Sequence, residues 1–246
     1  MFRCEGVSKY FGSLAAVKNV SFEVPEGQLC GVAGPNGAGK TTLFNVITGY
    51  LRPEEGKIWF GKVLLNKLRP HEICHLGIVR TFQTPCVIST CSILENVMTA
   101  AYHRIPRRGF GLYRYPKDLK KESIRILDEM ELSAKKDDVA ETLSLYDMKR
   151  LMLATALVMK PKILLLDEAV AGLNPKEIEE TKRLVKKINE SGVTILIIEH
   201  NMRFLLKISE RVIILDSGEK ICDGSPDYVA KDEEVIKAYL GEKGPS

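Results

Sequence analysis

The chain has 246 residues, 45% hydrophobic and 28% charged, enough for one large globular domain or a two-lobed one with an ample core. Its formal charge of +4, from 36 basic against 32 acidic residues, is too small an excess to argue for nucleic acid by itself. The six cysteines (Cys4, Cys30, Cys74, Cys86, Cys91, Cys222) form no C-x-x-C pair and no metal-ligand spacing, so reduced thiols in a cytosolic protein are expected.

The opening stretch, MFRCEGVSKYFG, lacks the apolar run of a signal peptide. Short β-rich runs punctuated by turns, FRCEGV, VSFEVPEG and GKIWFG, predict an antiparallel sheet beside the site. QLCGVAG followed by GKTTLFNVITGY reads as strand, glycine loop and helix. From Gln83 to about Ala156, SILENVMTAAYHR, KDLKKESIRILDEMEL and SLYDMKRLMLATALVM carry helical periodicity, interrupted by IPRRGFGLYRYP. This predicts a helical lobe over about residues 84–156, inserted into an α/β core made of residues 1–83 and 157–246. PKILLLDE and GVTILIIEH are continuous apolar runs that fit a parallel sheet covered on both faces, and both are too short to span a bilayer. RVIILDSGEKICDG predicts a hairpin turning at Ser217 and Gly218, and EEVIKAYLG a last short helix.

Residues 34–42, GPNGAGKTT, match G-x-x-x-x-G-K-[ST]. Glycines let backbone N–H groups close around phosphates, and the helix that follows turns its positive end toward them. Lys40 suits a bridge between phosphate oxygens, and the Thr41 hydroxyl suits Mg2+. This loop specifies a nucleoside triphosphate. In ILLLDEA, Asp167 falls at a strand's end, suited to the Mg2+ shell, and Glu168 follows as candidate general base for the attacking water. His200, after VTILIIE, is expected to reach the same phosphates from a neighbouring strand.

Together these residues resemble the ATP-binding subunits of ABC transporters over nearly the whole chain. The carrying motifs are GPNGAGKTT (Walker A), RTFQ with Gln83 (Q-loop), ILLLDEA (Walker B), AGLNP (D-loop) and IIEHNM with His200. ILENVM, the long helical insertion, DEAVAGLNP, IEHNM and VIKAYLGE bring the likeness closest to the subunits of branched-chain amino-acid importers; urea-importer and lipopolysaccharide-export ATPases share much of this pattern. The resemblance implies a P-loop NTPase core with a parallel sheet, an N-terminal antiparallel β subdomain and an inserted helical subdomain. It implies ATP contacts from Gly34, Pro35, Asn36, Gly37, Ala38, Gly39, Lys40, Thr41 and Thr42, with Phe11 stacking on adenine and Val17 also ATP-binding. Thr41, Gln83 and Asp167 would serve Mg2+, while Glu168, His200, Gln83 and Lys40 would be catalytic. Gln83 would relay nucleotide state to the helical lobe, which docks on transmembrane permease subunits near TPCVIST. The protein would work peripherally at the cytoplasmic face of the membrane, indirectly with a solute-binding protein and without nucleic acid. IPRRGFGLYRYP reads as a solvated insertion ahead of proximity to the bilayer or the membrane subunit, and its interleaved Arg and aromatic residues fit nucleic-acid stacking least, since no wider basic surface accompanies them.

One stretch departs from the pattern. Where the family carries L-S-G-G-Q facing the partner subunit's ATP, this chain has Leu143, Ser144, Leu145, Tyr146 and Asp147. Side chains at Leu145 and Tyr146 would fill space needed for close backbone approach, and any positive φ there would be strained. Asp147 would bring negative charge toward a triphosphate, at about 1 kcal/mol for 4 Å in water and about 4 at intermediate dielectric. Because such ATPases close head to tail, the expectation is a heterodimer with a second ABC ATPase, holding one competent and one weak site. Two other classes of function fit the sequence less well. A soluble ATPase of ribosomes or DNA would need tandem cassettes or a long coiled coil, and the chain has one phosphate loop and no sustained heptads. A regulatory nucleotide binder fits the altered signature, but retained Asp167, Glu168 and His200 argue for chemistry.

Overall fold

The computed structural model describes residues 1–84, 86–104 and 117–241. IPRRGFGLYRYP, residues 105–116, lies outside the described residues. The chain opens with β1 (Phe2–Phe11) and β2 (Leu14–Val24), which pair antiparallel around a tight connection that sets Phe11 opposite Leu14. β3 (Leu29–Ala33) then leads through the glycine loop into α1 (Lys40–Ile47). β4 (Glu55–Phe60) returns antiparallel to β1 and carries the short β5 (Val63–Leu64), completing a four-stranded sheet of order β2-β1-β4-β5.

After α2 (Pro70–His75), β6 (Ile78–Arg80) enters a second sheet. α3 (Ile93–His103), α4 (Lys117–Glu129) and α5 (Leu145–Leu157) follow and pack against one another. The chain returns to the second sheet through β7 (Ile163–Asp167), α6 (Pro175–Glu190), β8 (Thr194–Ile198) and α7 (Met202–Ile208). β9 (Arg211–Asp216) and β10 (Glu219–Gly224) form the hairpin whose turn is Ser217 and Gly218, and α8 (Pro226–Val229) and α9 (Glu233–Gly241) end the fold.

The second sheet has the order β10-β9-β3-β8-β7-β6. Its strands from β6 to β9 run parallel, and β10 is an antiparallel edge. The hairpin therefore contributes one parallel member, β9, beside β3. β3, β7 and β8 are buried at every residue, as their unbroken apolar runs require when both faces are covered.

Alternation then divides the side chains between two cores. Cys30, Val32, Leu165 and Leu196 face α1 and the four-stranded sheet. Leu29, Leu164, Leu166, Ile195 and Ile197 face a larger cluster that runs through Val185 of α6 and Leu205 of α7 into Ile93, Leu127 and Leu151 of α3 to α5. Such a sandwich leaves the carboxyl ends of β3, β7 and β8 as one edge, where loops carry function.

Local chemistry explains the helix starts. Ser92 accepts from Glu95 N–H while the Glu95 carboxylate accepts from Ser92 N–H, a reciprocal cap on α3. Asn174 and Glu177 do the same for α6, with Pro175 in its first turn. Asn96, buried in α3, accepts from Ile88 N–H at 2.7 Å and donates to the Ile88 and Ser92 carbonyls at 3.0 Å. It ties the segment following Gln83 to the helices.

Arg104 at the end of α3 grips Glu122 of α4 at 2.7 Å, Lys160 reaches the same carboxylate at 2.9 Å, and Arg104 also donates to the Val158 carbonyl. The Arg104 hydrogen bond, with help from Lys160 and against partial burial, brings the Glu122 carboxyl down to about 2. A folded pKa below the unfolded one means the stabilisation is full above the ordinary glutamate range and fades as pH falls toward about 2. Glu122→Gln should therefore lower the melting temperature most at neutral pH, with the gap from the parent closing on acidification. Calorimetric scans across that range check it.

Candidate functional site

Residues 34–42 join the carboxyl end of β3 to α1 in a turn that side chains would block. A Cβ on Gly34 (φ +149°) would lie 2.0 Å from the Leu215 carbonyl oxygen, and one on Gly39 (φ +95°) would lie 2.1 Å from that of Ala16. The loop is thus wedged between β9 and β2 and lines a cleft of about 600 Å3. Phe11, Leu14, Ala15, Ala16, Asn36 to Thr42, Glu168, His200 and Ser217 line that cleft. Lys40 opens α1 and folds over the loop, donating from Nζ to the Gly34 and Pro35 carbonyls at 2.6 and 2.7 Å. Phe11 stands half-exposed at the tip of β1, a flat apolar surface at the mouth. Val17 does not line the cleft. It is fully buried in the core beneath, just past a register shift in the pairing of β1 with β2, where Lys9 and Tyr10 face Val17 and Ala15.

Opposite the loop, the carboxyl end of β7 gathers the polar residues. Glu168 follows Asp167 with φ +51°, a left-handed backbone. Its N–H donates to the Ile198 carbonyl at 3.0 Å and its carbonyl accepts from Lys149 Nζ at 2.7 Å. So held, the Glu168 carboxylate accepts from Gln83 Nε2 at 2.7 Å through one oxygen and meets His200 Nε2 at 3.0 Å through the other. Three residues from three separate segments, singled out in the sequence, therefore share one carboxylate.

Asp167, buried, forms an ion pair with Arg80 of β6 at 2.6 Å through Oδ2. Thr41, Gln83 and Asp167 supply hydroxyl, amide and carboxylate oxygens, a donor set of the hard-oxygen kind that Mg2+ takes when it travels with a nucleotide's phosphates.

Three charged residues here were given no role by the sequence, although Arg80 falls in RTFQ and Glu199 in IIEHNM. Arg80 is described below. Lys149, on α5, reaches across to the Glu168 carbonyl and is pulled below the usual lysine range by burial. Glu199, 2% exposed, accepts from Val170 N–H at 2.8 Å and so fixes the turn after Glu168. Burial pushes the Glu199 carboxyl up to about 7, against the pull of that N–H and of Lys149. The position of Glu199, one residue before His200 at the end of an apolar strand, is the one signal that could have marked it.

The variant signature also takes a shape its sequence does not announce. Ser144 caps α5, accepting from Asp147 N–H at 3.1 Å. Leu145, Tyr146 and Asp147 form its first turn, with no positive φ among them. Asp147 does not point outward: it is 3% exposed and is hydrogen-bonded by both Lys135 and Arg150. Burial works to raise its carboxyl, but Arg150 and Lys135 outweigh it and hold the group ionised below the usual range. The expected charge repulsion and backbone strain are therefore both absent. Arg150 also lies over the Tyr146 ring at 4.5 Å. Leu145, half-exposed, leans toward Gly172, where an added Cβ would come within 2.9 Å of its methyl.

With this geometry described, the comparisons with known proteins place the chain. The family model for ABC transporters matches residues 17–171, and the chain belongs to that family, as an ATP-hydrolysing cassette. A second model, described as branched-chain amino acid ATP-binding cassette transporter, matches residues 219–244. The chain is 37% identical to the high-affinity branched-chain amino acid transport ATP-binding protein BraF of Pseudomonas aeruginosa, with 96% of each covered. It is 36% identical to the corresponding LivG protein of Escherichia coli, again with 96% of each covered. Among solved structures it is similar to a nucleotide-free ATP-binding cassette from an ABC transporter, with a TM-score of 0.88, 31% identity and coverage of 97% and 98%. It is equally similar to the ADP conformation of such a cassette, with a TM-score of 0.88, 33% identity and 98% of each chain covered.

Two outcomes follow from the site. Gly39→Ala should weaken nucleotide binding by about tenfold or more, since about 1–3 kcal/mol of backbone strain falls on the binding-competent loop; calorimetric titration with ATP measures it. Asp147→Asn should cost about 1–3 kcal/mol of stability by leaving Arg150 and Lys135 without their carboxylate, and should not tighten ATP binding. Denaturant melts beside the same titration separate these effects.

Proposed function

We propose that this chain is the energy-coupling subunit of a branched-chain or hydrophobic amino-acid importer. In this reading it sits peripherally on permease subunits at the cytoplasmic face of the membrane, with a solute-binding protein acting on the far side. The observation that carries the catalytic part is the meeting of Gln83 and His200 on the Glu168 carboxylate, across a cleft from Lys40. The solute class draws support from the match over residues 219–244 and from the relatives' names. No helix among the described residues is long and apolar enough to cross a membrane, which suits a subunit that depends on permeases.

The roles follow from position. Phe11 offers its face to the adenine ring. The amides of residues 34–42 and the start of α1 surround the phosphates, and Lys40 leaves the loop carbonyls to bridge phosphate oxygens. Thr41, Gln83 and Asp167 would hold Mg2+, which would supply charge neutralisation on the terminal phosphates. Glu168 accepts a proton from the attacking water, and His200 and Gln83 orient the carboxylate and report the nucleotide's presence. Binding energy closes two such cassettes head to tail, and hydrolysis releases them. Transport follows from the different contacts of the two states with the permeases.

The pair is unlike in this reading. With strain and repulsion gone, the support is bulk alone: Leu145 and Tyr146 stand on the first turn of α5, where closing on a partner's terminal phosphate calls for bare backbone. A cassette with glycines there would complete the site built from this chain's Lys40, Asp167 and Glu168, while this chain's α5 would form the weaker one.

Two measurements test the reading. Glu168→Gln should keep ATP affinity while steady-state turnover falls by orders of magnitude; undiminished turnover would remove Glu168 from the base's role. The lone chain should hydrolyse ATP slowly and without cooperativity, and a second cassette with an intact signature should raise the rate. Brisk cooperative hydrolysis by the lone chain overturns the unlike pair.

A further inference from the structure

Arg80 lies on β6, three residues before Gln83, and opens the RTFQ stretch without having been given a role above. Its side chain is 5% exposed, and so is fixed by protein. One terminal nitrogen donates to Asp167 Oδ2 at 2.6 Å, and the other donates to Asn45 Oδ1 at 2.7 Å. The guanidinium plane stands over the rings of Phe44 at 5.5 Å and Phe82 at 5.0 Å. Nε has no partner, so the grip is exerted through the two terminal nitrogens. Phe82 is itself packed edge-on against Tyr50 at 5.6 Å. Arg80 thus joins α1, the end of β7 and the residue preceding Gln83.

We infer that Arg80 is a positioning residue that holds Asp167 by Oδ2 so that Oδ1 is presented to the Mg2+ of the bound nucleotide. The inference rests on the reading of Asp167 as a metal-serving carboxylate. A guanidinium held by two rings and a side-chain amide is not free to swing away, and it occupies one carboxylate oxygen, not both. It therefore orients the acid instead of competing for it, as partners behind metal-serving groups commonly do. Lysine at this position keeps the charge but loses the second hydrogen bond and the stacked plane.

The test uses the full chain and a fluorescent, non-hydrolysable ATP analogue, titrated with MgCl2 and separately in EDTA. Arg80→Met and Arg80→Lys should keep the EDTA affinity, which reports an intact loop. They should raise the Mg2+ concentration for half-maximal tightening about 10–100-fold, with lysine the milder. Asp167→Asn is the reference and should show a shift at least as large. If Arg80→Met does not fold, seen as lost EDTA affinity, Arg80→Lys decides. An unshifted Mg2+ midpoint in the Arg80 variants beside a shifted one in Asp167→Asn overturns the inference alone. A midpoint moved to lower Mg2+ also overturns it, by making Arg80 a competitor. An unshifted Asp167→Asn overturns the reading of Asp167 and takes this inference with it.

Discussion

The turn that follows β7 is where the chain's folding and its chemistry meet. A left-handed backbone at a glutamate costs about 1–3 kcal/mol, and it persists only where its surroundings over-determine it. Here the Ile198 carbonyl of β8 takes the Glu168 N–H, Lys149 of α5 takes its carbonyl, and Glu199 takes the Val170 N–H beyond it. Without that turn the side chain would continue the alternation of a buried strand. With it, the carboxylate stands at the sheet's carboxyl edge, where Gln83 and His200 arrive from the ends of β6 and β8. The parallel sheet is thus more than a scaffold: its register (Asp167 opposite Ile198) brings the three segments to one level.

How much of this was legible depended on whether a feature is local. The glycine loop, Asp167, Glu168 and His200 stand out because each sits at the junction of an apolar strand and a loop, a pattern a short window contains, whereas Gln83 came only from the resemblance of RTFQ to a family motif. The three helices of the lobe and the final helix were readable from periodicity for the same reason. Val17 lies in the core beneath the cleft and not in its lining, a placement that depends on the register shift between β1 and β2 and that no short window shows. Arg80, Lys149 and Glu199 escaped notice because a charge beside a strand or on a helix reads as solvated until the tertiary fold buries it. β6 escaped for a related reason: three residues flanked by a motif are too few for periodicity to show.

Asp147 illustrates the same limit in the other direction. Read along the chain, an acid in place of the family's glutamine is a charge aimed at phosphate. In the fold it is the third residue of α5, capped through its own N–H by Ser144 and pulled inward by Lys135 and Arg150. An acid in a helix's first turn also favours the positive end of the dipole. The substitution has thus become part of the joint between α5 and the turn at Ser133–Lys135, and Arg150 is shared with the Tyr146 ring. What the sequence change alters at the surface is shape at Leu145 and Tyr146, not charge.

The charges around the end of β7 are balanced in a way that bears on how a polyanion enters. Asp167, Glu168 and Glu199 are three carboxyl groups within a few residues of one sheet edge, which would repel a triphosphate strongly in so dry a setting. Asp167 is paired with Arg80 from β6, Glu168 is hydrogen-bonded to His200, and Lys149 from α5 lies near Glu199. The counterparts are arranged behind or beside the acids, while Lys40 and the glycine loop line the cleft. Asp167 is thus paired from the protein side, while the start of α1 lies at the opening of the cleft. Because Arg80 and Lys149 belong to the strand before Gln83 and to the helix that begins at the signature, a shift of either element loosens an acid at the site. The end of β7 is in this way tied to β6 through the Arg80–Asp167 ion pair and to α5 through the Lys149 hydrogen bond to the Glu168 carbonyl.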